Sequence, residues 1–377
     1  MRVLLAGGGT GGHINPALAI ASIIKAHEPD SEFLFAGTPN GMEMKLVPQA
    51  GYKVEPIKVA GFQRKLTIKN IQRNIKALCY LTTAGHRAKQ IINGFKPDVV
   101  IGTGGYVSGP IVMQATKMGI PTLIHEQNAY PGITNKLLAR KVSKVMLTVK
   151  EALEYFEKQD GEINYTVTGL PVRPDILGRS KQQSRQQLGF DDALCILSFG
   201  GSLGAGCINS TMTEAIKWHV GNGFKINHIH GYGGMGKESV PQALEEAGIP
   251  LKSSRLRVTE YINDMDVCLS ASDLVICRAG ASTLAELEAC GKASILIPSP
   301  NVAGNHQFYN AKVLEKAGAA IVIEQKDVTN EKIIEIIKDI YNNPAKLARM
   351  SENAKKLYIP DTDEKIWQSV CEAVNSK

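Results

Sequence analysis

The chain of 377 residues lacks any apolar run of about 18 residues, the length that a membrane-crossing helix needs. Met1 and Arg2 lead directly into a strand-like run and a glycine turn, so no secretory leader is expected. The seven cysteines are odd in number and scattered, and their spacing does not suggest a zinc site. These absences predict a cytoplasmic protein with reduced thiols and without a structural metal.

Acidic residues are absent from one long segment. Between Pro56 and Pro97 there is no Asp or Glu but there are nine Lys and Arg, so this segment carries +9 and the rest of the chain sums to −2. Cations and apolar residues are interleaved there, among them Arg64, Lys65, Lys69, Arg73, Leu78, Tyr80 and Leu81. Such a mixture favours an anionic membrane surface. The solvated face of an amphipathic helix remains an alternative, although it explains the missing acids poorly. Nucleic acid is not expected as a partner, because no binding motif or aromatic platform is present.

The remaining composition is that of an ordinary α/β protein, with 44% hydrophobic and 21% charged residues. The chain is too long for one ordinary core, which predicts two domains. Strand-like runs, six in each half, alternate with helical periodicity and predict parallel sheets with helices on both faces. We expect a first domain at 1–168, a linker at 169–192, rich in Pro, Gln, Ser and Arg, and a second domain at 193–359.

A glycine-rich loop, Gly7–Gly12, follows the first strand and leads into a helix that opens with Asn15 and Pro16. Glycines allow a close backbone approach, and free amides at a helix start hold anions, so this loop predicts a diphosphate site. A nicotinamide-binding fold would place an acid at the end of the second strand, where Phe35–Thr38 stands instead. A dinucleotide cofactor is therefore disfavoured, while a purely structural turn stays open.

Two further loops of the first half follow predicted strands. Gly102–Pro110 is a second glycine loop, and His125–Asn128 follows the strand ending at Ile124. Loops at the carboxyl ends of parallel strands converge, so we expect these residues at one ligand site. The alternative is a helix capped by Asn128 and a buried histidine with its hydrogen bonds satisfied.

The second half repeats the strand, glycine loop and helix order at Gly200–Ala205 and again at Cys277–Glu286. The small residues that open the latter helix leave its amides accessible to phosphate, and Glu286 could accept hydrogen bonds from a ribose diol. A capping-box role for Glu286 is the alternative.

Asp264 and Asp266 match the DxD of metal-dependent sugar transferases, but acids are favoured at a helix start, so no metal role is expected. The site is expected in the cleft between the two domains.

Six motifs occur in one order over most of the chain: Gly7–His13, Gly104–Pro110, His125–Asn128, Pro171–Arg173, Gly200–Ala205 and Ala281–Glu286. Together they resemble the MurG family, the bacterial N-acetylglucosaminyltransferases that complete the lipid-linked cell-wall precursor. The resemblance implies a GT-B fold, in which two Rossmann-like domains face a central cleft and a C-terminal helix, about 360–377 here, crosses back to the first domain. Leu170 and His306 depart from the family pattern, which has Asn before Pro-Val-Arg and a Gln-Gln pair.

The resemblance also implies the reaction. GlcNAc would pass with inversion from UDP-GlcNAc to the C4 hydroxyl of MurNAc-pentapeptide on undecaprenyl diphosphate, which converts lipid I into lipid II in peptidoglycan synthesis. The enzyme would work peripherally on the cytoplasmic face of the cell membrane, without a cofactor and with other cell-wall synthesis proteins as further partners.

Site residues carried over by the resemblance fall into two groups. Those implied for UDP-GlcNAc are Thr10, Gly11, Gly12, Asn128, Arg173, Ser202, Ile262, Ala281, Ser282, Thr283, Leu284, Ala285, Glu286 and Gln307. Those implied for the acceptor diphosphate are Gly9, Gly104, Gly105 and Tyr106.

An inverting transfer needs a base near the acceptor hydroxyl and stabilisation of the departing diphosphate. The helix start at Ala281–Thr283, aided by Ser202, is expected to stabilise UDP. His13 is the first candidate base, because a helix N-terminus disfavours its charged form; Glu126 is the rival and His125 a weaker one. His13 could instead orient the acceptor diphosphate.

Two other functions remain open from the residues alone. A UDP-GlcNAc 2-epimerase on the same fold would need several acids in the cleft. A non-catalytic nucleotide-sugar-binding protein would not need two glycine loops on the acceptor side.

Overall fold

The computed structural model describes residues 1–59, 83–157 and 162–376. The chain forms two compact units, the first made of Met1–Pro171 together with Asp361–Lys377, and the second of Val172–Pro360. The first unit is therefore discontinuous in sequence.

Within the described part of the first unit, the sheet has seven parallel strands in the order β3-β2-β1-β4-β5-β6-β7. They are β1 (Arg2–Gly7), β2 (Glu32–Gly37), β3 (Lys53–Pro56), β4 (Val99–Gly104), β5 (Thr122–Glu126), β6 (Lys144–Leu147) and β7 (Tyr165–Val167). In register, Leu4 of β1 faces Leu34 on one side and Val100 on the other. The order reverses at β1 and β4, so the loops after these two strands lie side by side at the edge where ligands bind in such sheets.

Helices cover both faces of this sheet. They are α1 (Gly11–His27), α2 (Glu43–Gln49), α3 (residues 83–95), α4 (Gly105–Lys117), α5 (Ile133–Leu138), α6 (Leu153–Glu157) and, at the end of the chain, α15 (Thr362–Asn375). Alternate β1 residues enter two cores: Leu4 packs in one, and Val3 and Leu5 in the other. The second core also contains Ile366 and Val370 of α15.

The C-terminal helix α15 is fixed to the first unit by more than apolar packing. Trp367 stacks on His27 of α1 with 4.9 Å between the ring centroids. Glu372 forms an ion pair with Lys144 at the start of β6. The return of the last helix to the first unit, implied by the family resemblance, is thus seen in the contacts.

The second unit is a six-stranded parallel sheet in the order β10-β9-β8-β11-β12-β13. Its strands are β8 (Leu194–Phe199), β9 (Ile226–Gly231), β10 (Leu256–Thr259), β11 (Leu274–Cys277), β12 (Ala293–Leu296) and β13 (Ala320–Val322). Its helices are α7 (Lys181–Leu188), α8 (Gly206–Gly221), α9 (Ser239–Glu246), α10 (Met265–Ala271), α11 (Ala281–Ala289), α12 (His306–Lys316), α13 (Asn330–Asn342) and α14 (Pro344–Leu357). The order reverses at β8 and β11, which places the loops after them together.

All twelve strand-like runs predicted from the sequence are strands, with ends displaced by at most two residues. Strand β7 was not predicted, because it has three residues and lies at the edge of its sheet. The segment predicted as a linker also differs from the structure. Residues 172–192 belong to the second unit and include α7. There the buried Arg185 side chain forms an ion pair with Asp273 at 2.6 Å.

The acid-free basic segment is described only in part. Its cations Arg64, Lys65, Lys69 and Arg73, with Leu78, Tyr80 and Leu81, lie outside the described residues. The described α3 buries Ala84, Ala88, Ile91 and Ile92 in the first core. Among the described residues, no helix is both long and apolar enough to span a bilayer.

Candidate active site

The glycine loops after β1 and β4 interlock at the carboxyl edge of the first sheet. A Cβ atom on Gly7 would lie 2.0 Å from Thr103 Oγ1, and one on Gly105 would lie 2.4 Å from the Gly8 carbonyl oxygen. Gly105 also has a φ of 77°, a backbone conformation that disfavours any side chain. Glycine at these positions is therefore required by the contact between the two loops.

A buried carboxylate that the sequence did not reveal lies beneath the first loop. Glu43 is 1% exposed and accepts hydrogen bonds from Thr38 N at 2.6 Å, Thr38 Oγ1 at 2.7 Å and Gly9 N at 3.3 Å. Burial acts to raise the pKa of Glu43, but these hydrogen bonds outweigh it and hold the pKa below its ordinary value. The Gly9 amide, predicted to face a diphosphate, is thus already bonded to an acid of the protein.

His13 is the third residue of α1, and its ring is half-buried. Its Nδ1 atom lies 3.0 Å from the Thr103 carbonyl oxygen and 3.2 Å from Gln127 Oε1. The end of β4 and the loop after β5 therefore both orient the His13 ring.

Glu126 and Asn128 organise the loop after β5. Glu126 is 2% exposed. Its Oε1 accepts from Asn128 N at 2.9 Å, and its Oε2 accepts from Gly132 N at 3.0 Å and Asn135 Nδ2 at 2.8 Å. Asn128 also donates to Glu126 through Nδ2 and does not cap a helix, because α5 begins at Ile133. The hydrogen bonds of this carboxylate fix the conformation of the 128–135 loop.

His125 is fully buried with both ring nitrogens engaged. Nε2 lies 3.1 Å from the Gly169 carbonyl oxygen, and Nδ1 lies 3.1 Å from Gln127 Nε2. Burial lowers the pKa of His125 to about 4, although the Gly169 hydrogen bond acts in the opposite direction. His125 is therefore a buried histidine whose two ring nitrogens both have hydrogen-bond partners, which is the alternative that the sequence had left open.

In the second unit, a cavity of about 530 Å³ lies at the carboxyl ends of β8, β11 and β12. It is lined by residues from the starts of three helices: Gly206 of α8, Thr283 of α11 and Gln307 of α12. None of these three helix starts has a side-chain cap, so the amides of the first turns can meet an anion in the cavity. Such an arrangement fits a diphosphate.

Arg278 is a lining residue of this cavity that the sequence did not single out. Its Nη1 donates to the carbonyl oxygens of Ile297 and Pro298 at 3.0 and 3.2 Å, and its Nη2 donates to Gln325 at 2.6 Å. These bonds hold a cation in place at the cavity wall. The only sequence signal was its position directly after β11.

The residues predicted for UDP-GlcNAc are distributed over both units. Ala281–Glu286 form the first turns of α11, and Thr283 is the one residue of this range that lines the cavity. Gln307, also a lining residue, accepts through Oε1 from Ser299 N at 2.9 Å. Ser202 is exposed in the loop after β8, whereas Ile262 is buried against Gly231. Thr10, Gly11 and Gly12 lie at the edge of the first sheet.

Arg173 and Glu286, which are 113 residues apart, are brought together. Arg173 Nε donates to Glu286 Oε1 at 3.3 Å. Burial raises the pKa of Glu286, and Arg173 opposes this rise. Glu286 is the sixth residue of α11, too far from the N-cap Gly280 to act in a capping box.

The two acids of the DxD-like sequence are in ion pairs with arginines. Asp264 accepts from Arg257 at 2.7 and 2.8 Å, and Asp266 pairs with Arg179. Across residues 1–59, 83–157 and 162–376, no group of three or more His, Cys, Asp or Glu could hold a metal ion.

Comparisons with known proteins agree over nearly the whole chain. Residues 3–147 match the glycosyltransferase family 28 N-terminal domain, and residues 195–366 match its C-terminal domain. A protein of Thermoanaerobacter sp. (strain X514), named UDP-N-acetylglucosamine–N-acetylmuramyl-(pentapeptide) pyrophosphoryl-undecaprenol N-acetylglucosamine transferase, is 46% identical over 98% of this chain and 99% of its own.

Solved structures give the same result for the fold. The crystal structure of Acinetobacter baumannii MurG has a TM-score of 0.77 and 29% identity, covering 100% of this chain and 99% of that chain. A UDP-GlcNAc 2-epimerase from Neisseria meningitidis, with a TM-score of 0.65 at 14% identity and full coverage of both chains, shares the fold alone. The two parallel sheets are those of a GT-B fold, which confirms the predicted fold class. With both family domains matched and relatives above 40% identity along its length, this chain belongs to glycosyltransferase family 28, among the MurG N-acetylglucosaminyltransferases.

Proposed function

We propose that this enzyme transfers GlcNAc, with inversion, from UDP-GlcNAc to the C4 hydroxyl of MurNAc-pentapeptide on undecaprenyl diphosphate. The product is the lipid II precursor of peptidoglycan. The observation that carries the proposal is the cavity of the second unit, where three uncapped helix starts converge beside Arg278. A site of that kind suits the diphosphate of a nucleotide sugar.

The second unit would supply the leaving-group side of the reaction. When the bond between GlcNAc C1 and the diphosphate oxygen breaks, negative charge develops on the departing UDP. Amides at the starts of α8, α11 and α12, together with the Arg278 guanidinium, are fixed before the reaction and stabilise this charge without reorganisation. Ser202 adds a hydroxyl from the loop after β8.

Glu286 would hold the ribose of UDP. Its carboxylate is oriented by Arg173 through Oε1, and Oε2 can accept a ribose hydroxyl. The raised pKa that burial imposes on Glu286 is counteracted by Arg173, which keeps the acceptor form available. Backbone groups near the buried Ile262 would read uracil.

His13 is the base in this proposal. Its Nε2 takes the proton from the acceptor C4 hydroxyl while the oxygen attacks GlcNAc C1 on the face opposite UDP. Glu126 fits this role less well, because its two oxygens already accept four hydrogen bonds that hold the 128–135 loop. We assign Glu126 to loop positioning.

The acceptor diphosphate would lie by the interlocked glycine loops of the first unit. Since Glu43 occupies the Gly9 amide, the remaining donors proposed for this diphosphate are in the Gly104, Gly105 and Tyr106 region. Thr10, Gly11 and Gly12, at the start of α1, are proposed for the donor sugar. The Tyr106 side chain is 60% exposed and free to meet a ligand from solvent.

We also propose that the enzyme acts as a peripheral protein on the cytoplasmic face of the membrane. The support is the +9 charge of the acid-free segment between Pro56 and Pro97 and the lipid nature of the acceptor. Other cell-wall synthesis proteins are proposed as further partners.

Incubation with labelled UDP-GlcNAc and the lipid-linked muramyl acceptor, followed by UDP assay and lipid extraction, tests the reaction. We expect label in the lipid fraction and an equal amount of UDP. Label that stays in water, or a 2-epimer formed without acceptor, would contradict the transferase and favour the epimerase.

The base is tested separately. His13→Ala is expected to lower kcat by about 10²- to 10⁴-fold with little change in KM for UDP-GlcNAc. His86→Ala, at an exposed site of α3, is the control. Near-normal turnover in His13→Ala would exclude His13 as the base.

A further inference from the structure

Gln127 connects two histidines that come from different parts of the chain. Its Nε2 lies 2.8 Å from the His125 carbonyl oxygen and 3.1 Å from His125 Nδ1, and its Oε1 lies 3.2 Å from His13 Nδ1. Gln127 is 3% exposed. A carbonyl oxygen only accepts, so the Gln127 nitrogen must face His125 and its oxygen must face His13.

This orientation determines where His13 carries its proton. Gln127 Oε1 and the Thr103 carbonyl oxygen, 3.0 Å away, are both acceptors directed at His13 Nδ1. Nδ1 therefore bears the hydrogen, and Nε2 has the lone pair that a base needs. Among the described residues, nothing hydrogen-bonds to His13 Nε2.

His125 fixes the orientation of Gln127 in turn. The Gly169 carbonyl oxygen accepts from His125 Nε2, which leaves Nδ1 to accept from Gln127. Burial keeps His125 neutral at physiological pH, so this acceptor is constant. Donors and acceptors thus follow one direction from His13 through Gln127 and His125 to Gly169.

We propose that Gln127 is a positioning residue that selects the Nδ1–H tautomer of His13 and stabilises its imidazolium form once Nε2 has taken the acceptor proton. The role in the reaction rests on the proposed function of His13 as the base. The tautomer itself does not, and it can be measured on the resting protein.

NMR of the full chain labelled with ¹⁵N at histidine tests the proposal, with His13 assigned by its loss in His13→Ala. We expect the proton on Nδ1 in the native protein. Gln127→Leu removes one acceptor and should lower the titration midpoint of His13 by about half a pH unit. Gln127→Glu places a carboxylate there and should raise the midpoint by about one pH unit or more.

The acidic limb of the pH profile of kcat/KM should move to lower pH in Gln127→Leu and to higher pH in Gln127→Glu. KM for UDP-GlcNAc should not change in either variant. A purely structural role would not produce opposite shifts. The matched control is Gln90→Leu, which removes a surface amide 3.1 Å from the His86 ring and should change neither measurement.

A proton on Nε2 of His13 in the native protein would overturn the inference, and so would midpoints that do not move in opposite directions. Midpoints that move as expected while the kinetic limb stays in place would uphold the positioning by Gln127 and refute the role of His13 as the base. The native tautomer needs no variant, so a variant that fails to fold still leaves the inference open to refutation.

Discussion

The ring of His13 rests directly against the backbone of Gly104: a Cβ atom on Gly104 would lie 2.7 Å from His13 Nδ1 and 2.8 Å from Cε1. Gly104 also has a φ of 108°, which disfavours a side chain. We expect Gly104→Ala to displace the ring and lower kcat by roughly 10- to 100-fold, with little effect on KM for UDP-GlcNAc. Steady-state kinetics checks this.

Gly119→Ala is the matched control for that substitution. Gly119 has a φ of 70°, but a Cβ atom added there would have no neighbour within 4 Å, so it shares the backbone strain without the contact to a catalytic group. Equal losses of kcat in the two variants would show that strain alone accounts for the effect.

Glu286→Gln should weaken donor binding through the ribose. The variant keeps the size of the side chain but loses the charged acceptor that Arg173 orients. We expect KM for UDP-GlcNAc to rise about tenfold with kcat nearly unchanged. UMP has the ribose but no diphosphate. Its competitive inhibition constant should rise by the same factor in this variant.

Asp175→Asn controls for changes at Arg173, because the exposed Asp175 carboxylate lies 3.7 Å from the same guanidinium. It should leave KM and the inhibition constant of UMP unchanged. If UMP inhibits the Glu286→Gln variant as well as the native enzyme, the ribose assignment is wrong.

A chain of buried histidines predicts that the second unit loses stability in acid. His219 Nε2 lies 3.2 Å from His228 Nδ1, and Ser198 Oγ lies 2.9 Å from His228 Nε2 and 2.8 Å from His230 Nδ1. Burial lowers the pKa of His219 and of His230 to about 4, and that of His228 well below its ordinary value.

Between about pH 6.5 and 4, the unfolded chain binds protons at these histidines and the folded chain does not, so the free energy of unfolding falls as the pH drops. At pH 5, His219 alone accounts for about 2 kcal/mol. His219→Gln should therefore reduce the loss of unfolding free energy between pH 7 and pH 5 by about that amount.

Urea unfolding followed by Trp218 fluorescence, in a Trp367→Phe background, measures this free energy at each pH. His306→Gln, at a partly exposed ring, is the control, and an unchanged pH dependence in His219→Gln would contradict the prediction.

Replacing Arg64, Lys65, Lys69 and Arg73 by Gln should weaken binding to anionic vesicles by roughly 100- to 1000-fold at low salt, since each cation near the surface contributes about 1 kcal/mol. The difference should shrink as salt screens the charges. Vesicle co-sedimentation measures it, with Gln at the exposed Lys237, Lys252, Lys316 and Lys326 as the charge-matched control. Equal binding of the two variants would rule out the basic segment as the membrane contact.

The sequence predicted the sheets well because their strands are apolar runs buried on both faces, bounded by glycine loops. It located the glycine loops after β1, β4, β8 and β11 for the same reason. Arg173 and Glu286 were implied for UDP only by the family resemblance, and their contact with each other was not predicted. The sequence did not predict Glu43, nor the contacts that Gln127 makes from within the predicted His125–Asn128 loop, because the partners of both residues come from separate parts of the chain and leave no periodic signal. Helix α7 was taken for a linker because the residues it buries are Ser184 and Arg185, not an apolar stripe.

The assignment of α15 to the first unit has a consequence for the order of folding during synthesis. Ile366, Val370 and Ala373 complete a core whose other members, such as Val3 and Leu5, are made first. A nascent chain must therefore produce all of Val172–Pro360 before that core can close. The second unit can finish folding while the first still exposes an apolar surface, which reverses the usual N-to-C order of domain maturation.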